Sequence, residues 1–200
     1  ATMLRIRMID SVGYMVEGAT GALEDGVPRM VTTPWFDHEI PMTEAAELGT
    51  KKVMQEHCSI GLVVTTDGSI TDIERADYQD AEARAIRDMQ ATGKPFTVIV
   101  NSRHPQSPQA QAVREEIRKN FGLDAMVADC QAMTEAEIVA LLEKLLLSFP
   151  MGQLQVRLPR WLDALEPDHP VKAALYQALL QRTGEIQNLG QARQMLESLS

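Results

Sequence analysis

The sequence has little of what several protein classes require. Its 200 residues include two cysteines, too few for a disulfide framework or a cysteine-rich zinc site. No run approaches the roughly 18 apolar residues of a membrane-spanning helix, and no basic, apolar leader opens it. Lys and Arg number 19 against 28 Asp and Glu, which argues against a nucleic-acid-binding protein. We therefore expect a cytoplasmic protein with no nucleic-acid partner.

The composition that remains is globular, with 44% hydrophobic and 24% charged residues. The net charge of −9 comes entirely from residues 1–149, because residues 150–200 contain five basic and five acidic side chains. This change coincides with Phe149-Pro150-Met151-Gly152, where a helical pattern stops. We predict one domain over residues 1–149 and the start of a second, mostly helical domain over residues 150–200.

Hydrophobic periodicity predicts the order β, loop, α, β, α, β, α, β, α in the first domain. Such alternation indicates an α/β fold, with a mainly parallel sheet and helices on both of its faces. The second strand reads as buried on both faces, and the long loop, residues 11–41, shows no period. Strands are predicted at Leu4–Ile9, Ile60–Thr65, Phe96–Val100 and Asp124–Ala128, and helices at Thr43–His57 (with Thr43 as N-cap), Glu74–Thr92, Gln109–Asn120 and Thr134–Ser148.

The last 50 residues carry weaker patterns. They predict a strand at Leu154–Leu158, a short helix at Trp161–Leu165, and helices at Val171–Gln187 and Gln191–Leu199. The two final helices have modest apolar stripes.

Polar residues follow the predicted parallel strands. In such sheets ligands bind beyond the carboxyl ends of the strands. The sequence therefore predicts a polar, partly acidic binding edge there. The residues concerned are Asp10, Thr65-Thr66-Asp67, Asn101-Ser102 and Ala128-Asp129-Cys130.

The first candidate for chemistry is Asp10-Ser11-Val12-Gly13. An aspartate after an apolar strand, with glycine three residues later, matches the Asp-x-x-Gly element of P-loop GTPases. There the carboxylate holds Mg²⁺ and the glycine amide approaches the γ-phosphate. A plain turn after a strand is the alternative for so short a pattern. The order of the later elements, which follows the GTPase core from its third strand onward, favours the nucleotide hypothesis.

The second candidate is Asn101-Ser102-Arg103-His104. GTPases carry Asn-Lys-x-Asp after the corresponding strand, and the aspartate accepts hydrogen bonds from guanine. Here serine takes the lysine position and His104 the aspartate position, and neutral histidine cannot accept both guanine hydrogens. A nucleotide site built on this element should not prefer guanine. Asn101 as a simple strand-end cap is the alternative.

A phosphate-binding Gly-x-x-x-x-Gly-Lys-Ser/Thr loop is absent from these 200 residues. We therefore expect them to bind nucleotide poorly by themselves and interpret the chain as part of something longer. Arg29 is a weak candidate for an arginine finger. The four histidines share no metal-ligand spacing, and the acids at 72, 74, 77, 80, 82 and 88 are interpreted as a solvated helix face.

The chain closely resembles the stage IV sporulation protein A family, the spore-coat morphogenetic ATPases of endospore-forming bacteria. The resemblance covers nearly all 200 residues, and a set of segments carries it. They are residues 5–14 (Arg5-Ile6-Arg7-Met8-Ile9-Asp10-Ser11-Val12-Gly13-Tyr14), 26–30, 33–35, 55–61, 64–73, 93–96 and 100–102, with Leu158-Pro159-Arg160-Trp161 at the entry to the family's middle region.

This resemblance implies a P-loop NTPase core, like that of translation-factor GTPases, which uses ATP and Mg²⁺. It implies Asp10 as the catalytic, Mg²⁺-directing aspartate and Gly13 as the γ-phosphate-sensing glycine. Asn101 and Ser102 fall at the base-binding motif. The phosphate-binding loop of the family lies upstream of the matched residues, so activity is expected of the intact protein.

The resemblance also implies that the protein polymerises with itself as it hydrolyses ATP and forms the basement layer of the spore coat. Expected partners are a small membrane-associated sporulation peptide and other coat proteins. The expected location is the mother-cell cytoplasm at the forespore surface, with the membrane reached through a partner. Two alternatives remain open, a non-enzymatic α/β scaffold and a true GTPase, which the residues at 102 and 104 disfavour.

Overall fold

The computed structural model describes residues 5–184 and 186–198 and divides the chain into two compact units, residues 1–135 and residues 136–200. The division falls at the start of the helix that the sequence analysis placed at the end of the first domain. That helix joins the second unit because Phe149, just after it, accepts a backbone hydrogen bond from Leu189. The predicted domain boundary after Phe149 stays a prediction.

The first 41 residues hold short antiparallel pairs. Strand β1 (Leu23–Glu24) pairs with β2 (Val27–Pro28), and β3 (Met30–Val31) pairs with β4 (Ile40–Pro41). The predicted long loop therefore contains two small β-pairs.

The strand predicted at Leu4–Ile9 is wrong for the part that can be judged. Residues 5–9 have no regular secondary structure and are exposed, and Leu4 lies outside the described residues. An alternating apolar pattern makes a stable strand only where a neighbour satisfies its backbone hydrogen bonds. No strand of the described residues pairs with this segment.

Helix α1 (Met42–Lys52) continues as a π-helical turn, Val53–His57, which confirms the predicted helix. The predicted N-cap is wrong, because the helix begins at Met42, directly after Pro41, and Thr43 lies inside it. Proline before the first turn costs no hydrogen bond there, since the first amides of a helix lack intrahelical partners.

A three-stranded parallel sheet forms the centre of the first unit. It contains β5 (Gly61–Thr66), β6 (Phe96–Asn101) and β7 (Met126–Ala128) in that spatial order. Helices α2 (Arg75–Ala91) and α3 (Pro108–Phe121) make the two crossovers. The predicted α/β class, the three strands and both helices are confirmed.

Both crossover helices pack against one face of the sheet. Consecutive right-handed crossovers that step in one direction place their helices on the same side. The shared core contains Val63, Val98 and Val100 of the strands, Ile86 and Met89 of α2, and Val113 and Ile117 of α3. Burial of each aliphatic side chain contributes about 1.5–3 kcal/mol. The prediction of helices on both faces stays a prediction, because it assigned neither of these helices to a particular face.

Strand β5 is less buried than predicted. Leu62 is 41% exposed and Val64 56% exposed, whereas Val63 is buried. Within the described residues β5 pairs with β6 and with no other strand, so it lies at an edge of the sheet. The apolar run Ile60–Thr65 predicted a strand covered on both faces. That prediction is wrong because Leu62 and Val64, which share one face of the strand, are exposed.

The second unit is helical. It contains α4 (Glu135–Leu147), a 3₁₀ turn at Arg160–Ala164, α5 (Pro170–Thr183) and α6 (Leu189–Glu197). The strand predicted at Leu154–Leu158 is wrong: those residues are irregular and mostly exposed, with no partner strand among the described residues. The final predicted helix extends to Leu199, which lies outside the described residues. No helix in the described part of the chain is long and apolar enough to cross a membrane.

Candidate functional site

A cleft of about 440 Å³ runs along the free edge of β5. Five consecutive residues of this strand line it, from Leu62 to Thr66. Successive side chains of a strand point to opposite faces, so a lining that includes all five must follow the strand's edge. The lining includes Thr65 and Thr66, at the carboxyl end of the strand, where α/β sheets bind ligands.

Residues 10–14, here called the Asp10 segment, line the same cleft. The structure thus brings together Asp10 and Gly13, the two residues of the predicted Asp-x-x-Gly element. Further lining residues come from α1 (Thr50), the π-helical turn after it (Met54) and α2. Those of α2 are Tyr78, Ala81, Glu82 and Ala85, and Val16, Ile70 and Thr71 of the loops also contribute. The cleft therefore combines an apolar floor with polar groups from three parts of the chain.

Gly13 takes a left-handed backbone conformation, with φ +84°, that other residues rarely adopt. A Cβ atom here would meet nothing within 4 Å, so conformation and not space requires glycine. Its amide donates a hydrogen bond of 3.0 Å to Thr50 Oγ1, and the Thr50 hydroxyl lies 3.3 Å from the Gly13 carbonyl oxygen, to which it donates. Thr50 is buried.

Tyr14 anchors the Asp10 segment to α2. Its hydroxyl donates a hydrogen bond to Asp88, and the Arg84 guanidinium lies 5.4 Å from the centre of its ring. Arg84 also pairs with Glu47 of α1. Partial burial, followed by the hydrogen bond to Asp88, raises the pKa of Tyr14 above its ordinary value. The tyrosine is therefore a protonated hydrogen-bond donor near neutral pH.

Asp10 itself is exposed. Its carboxylate is a hard oxygen ligand, and hydroxyl groups of Ser11, Thr65 and Thr66 occur in the same lining. The described residues contain no group of three or more acidic, histidine or cysteine side chains that could hold a metal by themselves. Mg²⁺ usually takes one or two carboxylates together with substrate phosphates and water. A single accessible aspartate in a cleft therefore fits a magnesium ion that arrives with a phosphate ligand.

A buried ion pair lies beside the end of β5. The guanidinium of Arg75 donates to both carboxylate oxygens of Glu82, at 2.7 and 2.9 Å, and the Thr65 hydroxyl donates to the same carboxylate at 2.6 Å. Glu82 is 7% exposed, so its assignment to a solvated helix face was wrong. The signal was its spacing, because Glu82 precedes the buried Ile86 by one helical turn.

Asp67, directly after β5, organises a second polar group, here called the Asp67 cluster: the buried Asp67 and Ser102, the partly buried Ser69 and the exposed Gln109. The Asp67 carboxylate accepts bonds from the Ser69 amide (3.0 Å) and hydroxyl (2.5 Å) and from the Ser102 hydroxyl (2.7 Å). Gln109 donates to its backbone carbonyl at 2.7 Å. Burial acts to raise the pKa of Asp67, but the hydrogen bonds from Ser69 and Ser102 outweigh it and hold that pKa below its usual value.

The two predicted base-motif residues lie at the end of β6, outside the cleft lining. Ser102 is fully buried, and its hydroxyl, besides donating to Asp67, accepts from the His104 amide at 3.0 Å. Asn101 accepts from the Cys130 amide at 3.0 Å, which ties β6 to the loop after β7. A binding role for either residue stays a prediction. For Ser102 it would be a positioning role, because the side chain has no exposed surface.

The sequence analysis assigned no structural role to Asp67. Thr65-Thr66-Asp67 was noted as a polar strand end, and spacing alone could not show that Asp67 bonds a serine 35 residues later. Arg29, the weak finger candidate, is exposed and does not line the cleft. His38, His57, His104 and His169 form no metal-binding group with other described residues.

A family model described as "Stage IV sporulation protein A, ATPase domain" matches residues 1–150. Three curated proteins named stage IV sporulation protein A are also similar. The Bacillus subtilis (strain 168) protein is 38% identical over 186 residues, 93% of this chain and 38% of that protein. The Bacillus anthracis protein is 36% identical over the same shares of both chains. The Clostridioides difficile (strain 630) protein is 36% identical over 98% of this chain and 40% of that protein.

The chain spans about two fifths of the length of these relatives. No solved structure gives a significant match.

Proposed function

The chain belongs to the stage IV sporulation protein A family, and we propose that it is the core of a Mg²⁺-dependent ATPase with a P-loop NTPase fold. Residues 1–149 are proposed to form part of the ATPase domain and residues 150–200 the start of the middle domain. A sporulation role and an ATPase-type domain come with family membership. ATP hydrolysis by the intact protein is the proposal.

One observation carries it: Asp10 and Gly13 line the same cleft, at the carboxyl end of β5, with Thr65 and Thr66. This is where α/β nucleotide-binding proteins place their phosphates. The free edge of β5 supports the proposal further. Among the residues that the structure describes, no strand pairs with this edge, and we propose that a strand beside the phosphate-binding element of the intact protein pairs there.

Asp10, Gly13 and Tyr14 have different proposed roles. Asp10 would hold Mg²⁺, which when bound neutralises charge on the phosphate oxygens. The amide of Gly13 would donate to the terminal phosphate, since the left-handed glycine lets the backbone approach closely. Tyr14 keeps this amide in place by its contacts with Asp88 and Arg84.

The base-motif loop supports ATP rather than GTP. His104 is exposed, and as a neutral side chain it cannot accept both guanine hydrogens as a carboxylate does. Ser102 is buried, and its hydroxyl donates a hydrogen bond to Asp67. Neither residue offers the acceptor pair by which GTPases select guanine.

We further propose, on family likeness alone, that hydrolysis is coupled to self-assembly in the basement layer of the spore coat. The proposed partners are other copies of the protein, a small membrane-associated sporulation peptide and other coat proteins. The proposed location is the mother-cell cytoplasm at the forespore surface, with membrane contact through a partner.

Substitution of Asp10 tests the enzymatic proposal. In the intact protein, Asp10→Asn should lower ATP turnover by about 10²-fold, because one charge-stabilising group is lost. The exposed Asp37 provides the matched control, and Asp37→Asn should leave turnover unchanged. Steady-state hydrolysis of ATP and GTP, with and without Mg²⁺, is the measurement.

Three results would separate the alternatives. Normal turnover by Asp10→Asn would contradict the assigned role of the aspartate. Faster hydrolysis of GTP than of ATP would favour the GTPase. Normal self-assembly without hydrolysis of either nucleotide would favour the non-enzymatic scaffold.

A further inference from the structure

The amide that should sense the phosphate is already engaged. Gly13 N–H donates to the Thr50 hydroxyl at 3.0 Å, and that hydroxyl in turn donates to the Gly13 carbonyl at 3.3 Å. One side chain of α1 thus satisfies both backbone groups of the glycine. A second acceptor can take the amide only after this pair separates, because the N–H carries one hydrogen.

Thr50 suits such an exchange. It is 2% exposed, and a buried hydroxyl without a partner costs about 1–3 kcal/mol. A threonine inside a helix has a second partner within reach, the carbonyl oxygen four residues earlier, here that of Ala46. Thr50 can therefore release Gly13 without leaving its hydroxyl unsatisfied.

The neighbouring residue limits how far the segment moves. Tyr14 is held by the Asp88 carboxylate and by Arg84, which also pairs with Glu47 of α1. The next residue after Gly13 is therefore anchored to α2, which limits how far the Gly13 amide can move. A small shift of its amide would move it from the Thr50 hydroxyl into the cleft.

We propose that the Thr50 hydroxyl and the terminal phosphate of a nucleoside triphosphate compete for the Gly13 amide. Thr50 holds the Asp10 segment against α1 until the triphosphate takes the amide, and this exchange couples α1 to the bound nucleotide. The inference rests on the proposed function, since the competing acceptor is a phosphate. Thr50 acts here as a positioning residue.

Two substitutions at Thr50 test the competition in the intact protein. Thr50→Val removes the hydroxyl and keeps the shape, whereas Thr50→Ser keeps the hydroxyl. Because a net hydrogen bond is worth a factor of about five, Thr50→Val should bind ATP about fivefold more tightly. ADP lacks the competing phosphate, so its affinity should not change. Thr50→Ser should behave as the unmodified protein for both nucleotides.

Hydrogen exchange supplies a readout that needs no nucleotide. In the nucleotide-free protein, peptides that contain the Gly13 amide should exchange about fivefold faster in Thr50→Val than in Thr50→Ser. Peptides from β6 should exchange equally in both. If valine is not tolerated at this buried position, Thr50→Ala also removes the competing hydroxyl and should strengthen the binding of ATP while leaving that of ADP unchanged.

The outcomes are distinct. Equal shifts for ATP and ADP, weaker ATP binding or unchanged exchange in Thr50→Val would overturn the competition while leaving the ATPase proposal standing. An unmodified protein that fails to bind ATP would overturn the proposed function and the competition with it. If the unmodified protein does not bind ATP, faster exchange in Thr50→Val would show only that Thr50 stabilises the Gly13 backbone.

Discussion

Two polar regions meet the end of β5 and are built in opposite ways. The Asp67 cluster has a buried centre, Asp67 and Ser102, and the Asp67 carboxylate accepts hydrogen bonds from Ser69 and Ser102. The Asp10 segment is exposed at Asp10 and Val12, and the contacts of Gly13 and Tyr14 hold it. The first arrangement fixes loop positions, and the second leaves a carboxylate free to meet a ligand.

This difference indicates that separate aspartates serve stability and ligand binding in this fold. A buried and fully bonded aspartate stabilises the native state and has no capacity for a further ligand. An exposed aspartate contributes little to stability but can accept a metal ion. The acidic residues with the largest structural effect should therefore be those least involved in turnover.

The largest effect on stability should come from the ion pair beside Thr65. Arg75→Met leaves Glu82 buried without its guanidinium partner, which should cost about 3–5 kcal/mol in the free energy of unfolding. The control is Arg114→Met, which breaks an exposed pair with Asp124 and should cost less than about 1 kcal/mol. Urea titrations give both values.

Equal losses for the two arginines would contradict the comparison, because they would mean that burial at the end of β5 adds nothing to an ion pair. A double variant sharpens the test. Replacement of both Arg75 and Glu82 by apolar residues of similar size should recover much of the loss, since no buried charge is then left unpaired.

Asp67→Asn should have a smaller, pH-dependent effect. The folded state lowers the pKa of Asp67, so its carboxylate contributes stability above its unfolded pKa of about 3.9, and this is lost as the pH falls through the folded pKa. At pH 7 the variant should be less stable by about 2 kcal/mol, because bonds to a charged acceptor are weakened. The difference should shrink below about pH 4.

Urea titrations at pH 7 and pH 3 provide the comparison, with Asp37→Asn as an exposed control. A stability difference that is the same at both pH values would show that Asp67 does not act through its charge. Loss of ATP turnover without loss of stability would be more damaging, since it would move Asp67 from the structural region to the chemical one.

The sequence was sufficient where local signals agreed. Continuous apolar runs identified β5 and β6, and glycines at 93 and 122 marked the helix ends, where both adopt positive φ. Such features depend on nearby residues. The Asp-x-x-Gly pair was likewise found by spacing. Asp10 and Gly13 are three residues apart in the sequence, which keeps them in one cleft.

The failures share a different cause. The strands predicted at Leu4–Ile9 and Leu154–Leu158 have suitable patterns, but a strand also needs a partner, which a local pattern cannot supply. The burial of Ser102 depends on its bond to Asp67, 35 residues earlier in the chain. Hydrogen bonds that reach between loops have no signature in a single sequence.

The smallest predicted effect concerns the connection between the sheet and α1. The Lys94 ammonium, just before β6, donates to the carbonyl oxygens of Met54 (2.9 Å), Gln55 (2.6 Å) and Cys58 (2.8 Å). A cation at a helix C-terminus satisfies carbonyls that lack intrahelical partners. Lys94→Met should therefore cost about 1 kcal/mol, and the exposed Lys119→Met should cost nothing measurable.

Hydrogen exchange would show where that loss falls. Amides of the π-helical turn, residues 53–57, should exchange faster in Lys94→Met, whereas the amides of Ser69 and His104, which bond within or to the Asp67 cluster, should be unaffected. Faster exchange in both places would mean that α1 and the Asp67 cluster unfold as one unit. The distinction between a movable Asp10 segment, bonded to α1, and a fixed Asp67 cluster would then be wrong, because local unfolding of the helix end would also unfold the end of the sheet.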